Sequence, residues 1–265
     1  MRQLLNTLFV TSEDVYLSLD GENVVANREG KAVARYPLHT LQGIVSFAYA
    51  GASPALMGAC AQREIGLTFC TPRGRFLARA CGPAQGNVLL RRAQYRAADD
   101  PAQSCRVARN MIFGKVYNAR WSVERTRRDH ALRIDAAQFA AVSAQLHGLL
   151  PQIAETTAPD RLRGLEGVGA SAYFGVLDEM ILQGKETFFF HERSRRPPQD
   201  AFNALLSFAY SLLAHDCASA LESVGLDAYV GFLHRDRPGR ESLALDLMEE
   251  LRPCFADRFV LTLVN

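Results

Sequence analysis

Arg75-Phe-Leu-Ala-Arg-Ala80-Cys-Gly82-Pro83-Ala-Gln-Gly-Asn87-Val-Leu-Leu-Arg-Arg-Ala-Gln-Tyr-Arg-Ala97 is where the chain changes character. Before it, short β-branched and apolar runs alternate with tight turns. Val15 to Leu19 and Val24 to Asn27 flank Asp20-Gly21-Glu22-Asn23, and Lys31 to Tyr36 follows Arg28-Glu29-Gly30. Leu41 to Phe47 is a further run, and Gly66 to Thr71 and Arg75 to Ala80 flank Pro72-Arg73-Gly74. Such runs read as strands, with one helix between them from Ser53, a suitable N-cap, to Arg63. Consecutive strands and tight turns predict antiparallel pairing in a small β-sandwich. After Gly82-Pro83 the period is helical, over Asn87 to Ala97, Ala102 to Thr126, Ala136 to Leu149, Glu166 to Leu182, Asp200 to Val224 and Arg240 to Leu251. The expected fold is α+β, with a β-rich domain over 1–84 and an all-α domain over 85–265, divided near residues 82 to 87.

The composition suits this fold. At 265 residues, 48% hydrophobic and 22% charged, the chain can bury a sizeable core. A net charge of +2 gives no sign of a polyanionic partner, but arginines cluster at 91–92, 125–128, 161–163, 193–196 and 235–240. Met1-Arg2-Gln3 does not open a secretory leader. No run approaches the roughly 20 apolar residues that span a bilayer. Six scattered cysteines without a Cys-x-x-Cys pair read as reduced core residues of a cytoplasmic protein. Phe259 to Val264 is an apolar run with only Asn265 after it, from which a missing C-terminal piece is expected.

The chemistry concentrates in Gly231-Phe-Leu-His234-Arg-Asp-Arg-Pro-Gly-Arg240-Glu-Ser-Leu-Ala-Leu-Asp246-Leu-Met-Glu249-Glu-Leu-Arg-Pro253. On a helical wheel Ala244, Leu247, Met248 and Leu251 form one face, with Leu243 and Leu245 on its flanks. Asp246, Glu249 and Glu250 occupy the remaining stripe. A helix this apolar is buried, and buried carboxylates need a partner. That partner is either a divalent cation, for which His234 adds an imidazole to the oxygen donors, or an arginine such as Arg237, Arg240 or Arg252. Glu166 opens a second motif, Gly167-Val-Gly169-Ala-Ser-Ala172, whose small residues admit close approach. An acid in a first helical turn also simply suits the helix dipole. Arg193-Ser194-Arg195-Arg196-Pro197-Pro198 is a proline-stiffened loop that either offers guanidinium forks to phosphate or caps helix ends. Trp121 and Phe188-Phe189-Phe190 read as packing. No Gly-x-Ser-x-Gly elbow is present.

In this order the motifs resemble the CRISPR-associated integrase of spacer acquisition, the universal nuclease of the adaptation module. The matching residues are Gly164-x-Glu166-Gly167 leading to Ala172-Tyr173-Phe174, then Arg195-Arg196-Pro197-Pro198-x-Asp200-x-x-Asn203-Ala204-Leu205-Leu206-Ser207-Phe208-x-Tyr210. Last comes Gly231-Phe232-Leu233-His234 with Arg240-x-Ser242-Leu243-x-x-Asp246-Leu247-x-Glu249. The wording of the last motif resembles the subtype I-C branch. The resemblance implies a Mn²⁺ or Mg²⁺ site with Glu166, His234 and Glu249 as ligands and catalytic residues, where many members carry aspartate at the last position. It implies an accessory role for Asp246. It also implies double-stranded DNA as substrate, a homodimer built through the β-region, and a small partner protein that two such dimers flank in a hetero-hexamer. Arg161, Arg163, Arg195, Arg196, Arg237 and Arg240 are the expected DNA contacts.

The expected reaction is metal-assisted phosphodiester chemistry, either cleavage by water or insertion of a captured fragment by its 3′-hydroxyl. Ligation needs neutral imidazole, so activity is expected to fall as pH drops through about 6.5. Two rivals stay open: a non-catalytic DNA-binding scaffold whose acids pair with arginines, and a stand-alone divalent-metal nuclease.

Overall fold

The structure is a computed structural model and describes residues 6–82, 88–195 and 197–265. The expected boundary falls largely on residues outside this set, as does Arg196. The chain forms two compact units, Met1–Gly86 with Glu222–Gly225, and Asn87–Leu221 with Leu226–Asn265.

The first unit holds two sheets. β2 (Tyr16–Asp20), β3 (Asn23–Arg28) and β4 (Lys31–Pro37) form an antiparallel meander. Its second turn joins paired Arg28 and Lys31 through two residues, Glu29 at φ 50° and Gly30 at φ 75°. Positive φ at both central positions matches the right-handed twist of a hairpin. The other sheet runs β1-β5-β6-β7, over Thr7–Val10, Gly43–Ser46, Gly66–Cys70 and Phe76–Ala80. Here β1 pairs with β5, and β5 with β6, in parallel, which corrects the expectation of antiparallel pairing throughout. The physical reason is α1 (Pro54–Gln62), capped by Ser53, which is the crossover between β5 and β6; a parallel pair needs such a connection. Leu17, Val24, Ile44 and Leu67 from both sheets, Leu56 and Cys60 from α1 and Leu38 from the 3-10 turn after β4 share one buried core.

The second unit is helical: α2 (Val88–Asp99), α3 (Pro101–Asp129), α4 (Ala136–Glu155), α5 (Pro159–Phe174), α6 (Ala201–Ser223), α7 (Ser242–Leu251) and α8 (Arg258–Val264). A π-helical stretch, Arg252–Asp257, joins α7 to α8. Cys105, Ala108, Ile112, Val116, Ala119 and Val123 make the buried stripe of α3. Around it pack Phe139, Leu146, Leu162, Phe202 and Leu206. Four of the six cysteines are buried, and all are free.

Three helices depart from expectation. α4 runs on through Pro151 to Glu155. α5 starts at Pro159, whose fixed φ suits the first helical position, and ends at Phe174 rather than Leu182. Glu166 therefore sits in mid-helix, and its first-turn dipole role falls away. By length and composition α6 could cross a membrane, contrary to the expectation that no stretch could. Its Phe202, Leu206, Leu213, Cys217, Ala218 and Leu221 are instead buried against the other helices. Trp121 is not a packing residue either. It is half exposed, at the end of a ladder with Phe113 and Tyr117 along α3.

Close approach of α5 to α3 positions the site. A Cβ on Gly169 would lie 3.1 Å from a Val116 methyl, whereas one on Gly167 would meet nothing within 4 Å. Gly169→Val is expected to cost about 1–3 kcal/mol through overpacking. Gly167→Ala is expected to stabilise by about 0.5–1 kcal/mol through helix propensity. Urea unfolding of both variants measures the contrast.

Candidate functional site

The segment 231–234 lies against the first turns of α7. Only glycine fits at 231, because a Cβ there would stand 2.8 Å from Ser242 Cβ and 2.9 Å from Asp246 Oδ2. That closeness brings three backbone N–H groups onto one side chain. Asp246 Oδ2 accepts from the N–H groups of Phe232 (2.6 Å) and Leu233 (2.8 Å). Its Oδ1 accepts from His234 N–H (3.0 Å) and lies 2.5 Å from His234 Nδ1. Asp246 has no exposed surface, and these donors replace its lost hydration. With Asp246 as acceptor, Nδ1 carries a proton, and in the neutral form of the ring Nε2 is the nitrogen that keeps its lone pair. Asp246 thus orients the imidazole and folds the loop under it.

One turn along α7, Glu249 is 4% exposed. Arg252 Nη1 lies 2.8 Å from Oε1, and Lys115 Nζ lies 2.7 Å from Oε2. The same ammonium contacts Glu166 Oε1. Glu166 of α5 and Glu249 of α7 therefore meet at one cationic point, supplied by α3. Burial alone would raise the Glu249 acid, but Arg252 and Lys115 outweigh it and hold the group below the usual carboxylate range. The ammonium is near Oε2 without hydrogen-bond alignment, so that buried oxygen lacks a hydrogen-bond partner among the described residues.

Sequence reasoning missed Lys115. It lies beside Val116 in the apolar stripe of α3, one of only three lysines in an arginine-rich chain. A compact point charge there, where arginine is otherwise preferred, was the available signal. Arg252, one of the arginines expected to pair with these acids, meets Glu249 from a half-buried position.

Behind Glu249 lies a second polar cluster. Asp257, 1% exposed, accepts the Tyr210 hydroxyl. The Arg252 and Arg193 guanidiniums stand over the Tyr210 ring at 4.9 and 5.3 Å. Burial pushes Asp257 up to about 6, against the opposing pull of the Tyr210 and Tyr173 hydroxyls and Arg252.

The expected DNA-contact arginines do not all stand alike. Arg163 is a strut: it pairs with Asp160 at 2.6 Å and donates to the Leu233 carbonyl at 3.1 Å. Arg161, Arg195 and Arg237 are exposed, and Arg240 is half-buried. Arg193, in the proline-stiffened loop, is held by Asn203 and Ser207.

Glu166 and Glu249 are brought together, while His234 is set on Asp246. Among the described residues no three His, Cys, Asp or Glu side chains stand together in metal-holding geometry. The donors nonetheless suit a hard divalent ion: two convergent carboxylates, an unaligned buried oxygen and an imidazole with Nε2 uncommitted.

Asp246→Ala would strand three N–H groups and is expected to cost about 3 kcal/mol or more, read from urea unfolding. Asp257 makes a separate prediction. Its folded acid value lies above the unfolded one, so the native state holds the proton longer and its share of stability falls as pH rises from about 4 to about 6. Asp257→Asn is expected to remove that slope, worth about 2 kcal/mol between pH 4.5 and pH 6.5, in unfolding curves at those two values.

The family described as CRISPR associated protein Cas1 matches residues 8–265. A protein named CRISPR-associated endonuclease Cas1 1, from Chlorobaculum tepidum, is 49% identical over all of this chain and 77% of its own length. One named CRISPR-associated endonuclease Cas1 2, from Rhodospirillum rubrum, is 51% identical with the same coverage. Two solved structures share the fold at a TM-score of 0.78. A CAS1 protein from Thermotoga maritima is 21% identical over 98% of this chain and 78% of that one. A casposase bound to integration product is 22% identical over 98% and 73%. With a family match over nearly its whole length and relatives at about half identity, the chain belongs to the Cas1 family of CRISPR-associated proteins.

Proposed function

We propose that this chain is a divalent-metal-dependent DNA endonuclease and integrase that inserts captured DNA fragments into a CRISPR repeat array. One observation carries the reading: two carboxylates far apart in sequence, Glu166 and Glu249, meet at a single cationic point, and Asp246 on the same helix as Glu249 orients the His234 imidazole. The names of the relatives support it, since those proteins are CRISPR-associated endonucleases. The motif wording supports the subtype I-C branch.

Glu166, Glu249 and His234 would hold Mn²⁺ or Mg²⁺. When bound, such an ion supplies neutralising charge at the scissile phosphate and lowers the pKa of its water. Asp246 keeps His234 in the Nδ1–H form and fixes its ring. Arg252, packed on Tyr210, holds Glu249 in one orientation. In the joining reaction the fragment's 3′-oxygen forms a bond to the target phosphorus, and the bond to the target strand's leaving oxygen breaks. The count of phosphodiester bonds is unchanged. Arg161, Arg195, Arg196, Arg237 and Arg240 hold the DNA backbone. Arg163 acts first as a support for the His234 segment.

The N-terminal β-unit serves as the homodimer contact, and two dimers take up a small partner protein in a hetero-hexamer. A solved Cas6-RT-Cas1–Cas2 complex with this fold supports a partner of that kind.

A second reading has its own observation. Lys115 and Arg252 already neutralise the acids, as a non-catalytic scaffold would require. Mn²⁺ separates the two: at 100 times Kd a true site adds about 2.7 kcal/mol of stability, and a scaffold gains nothing.

Glu166→Gln, His234→Ala and Glu249→Gln are each expected to lower Mn²⁺-dependent strand joining at least about 100-fold, on the scale of one lost catalytic interaction. Duplex binding should persist. Full activity in any variant removes that residue from the site. Duplex affinity is expected to fall with salt at a log–log slope of about −0.9 per phosphate contacted; a flat response contradicts the arginine contacts.

A further inference from the structure

We propose that Lys115 is a positioning residue that holds the cation's place: its ammonium gathers Glu166 and Glu249 in the free protein, and moves into the adjoining cavity against Asp257 when the divalent ion takes the carboxylates. This rests on the cation reading above.

Four observations carry it. Glu249 is almost fully buried and touches the same ammonium as Glu166. Two carboxylates that close repel unless a positive charge lies between them, so Lys115 keeps both in place before any ion arrives. Its hold on Glu249 Oε2 is close but unaligned, a contact of proximity rather than of direction. Lysine carries its point charge on a flexible four-carbon stem, whereas Arg252 is fixed by its stack on Tyr210; of the two cations, only the lysine is free to give way. It also has a destination. A cavity of about 20 Å³ is lined by Lys115, Tyr173, Tyr210, Arg252 and Asp257. That is about the room of one water molecule, or of an ammonium head. Asp257, 1% exposed, offers it a carboxylate.

An ammonium left between the carboxylates would stand at coordinating distance from a divalent ion, and their repulsion in a buried site is large. Exchange raises the positive charge between the carboxylates from one to two rather than to three. The carboxylates are never unpaired, and the lysine is never left without a counter-ion.

Calorimetric titration with Mn²⁺ tests this on the whole chain without any assay of activity. Lys115→Met is expected to bind Mn²⁺ at least about tenfold more tightly than the parent, because nothing need be displaced. It should also melt at a lower temperature in chelator, where its two acids face each other unscreened. Asp257→Asn is expected to weaken Mn²⁺ binding several-fold, since the displaced ammonium loses its acceptor. That effect should vanish when Asp257→Asn is made in the Lys115→Met background. Equal or weaker Mn²⁺ binding by Lys115→Met, with the parent binding normally, overturns the exchange and leaves the cation site standing. No binding by either protein overturns both. If Lys115→Met does not fold, Asp257→Asn decides: unchanged Mn²⁺ affinity overturns the proposal.

Discussion

An ionised carboxylate that is 4% exposed cannot remain where Glu249 is without compensating charge. Much of the helical unit is arranged around that requirement. α7 is apolar enough to be buried and carries Glu249 in with it. Lys115 comes from α3, Arg252 from the π-helical stretch after α7, and Glu166 from α5. The wide turn of that stretch returns Arg252 to Glu249 and leaves Asp257 buried under Tyr210. A site assembled from helices that already pack together is rigid at its base.

Asp246 meets the same difficulty differently. Among the described residues no lysine or arginine pairs with it, and its charge is met by three backbone N–H groups and the His234 imidazole. These bonds determine the path of Phe232, Leu233 and His234, and the close approach they need is permitted by Gly231. Two acids three residues apart on one helix thus do separate work. One shapes the loop that presents the imidazole; the other faces the point where charge must be held.

Much of this was legible in the sequence, for identifiable reasons. The period of Leu243, Ala244, Leu247, Met248 and Leu251 marks α7 as a buried helix, and burial forces the question of what pairs with its acids. Strands β2 to β7 follow from their turns. Strand order does not: the parallel pairing of β1, β5 and β6 depends on contacts distant in sequence, although α1 between β5 and β6 was the visible sign of a crossover. Gly164 and Gly167 made Glu166 look like the start of a helix that begins at Pro159. Lys115 was least legible of all. Its partners lie on two other helices, and the single local sign in α3 is a lysine where this chain otherwise uses arginine.

The most direct measurement is anomalous scattering from a crystal of the protein grown with Mn²⁺. The account predicts a peak about 2.0–2.4 Å from carboxylate oxygens of Glu166 and Glu249 and from His234 Nε2. No peak there, with the Lys115 ammonium still between the two carboxylates at saturating Mn²⁺, would contradict it.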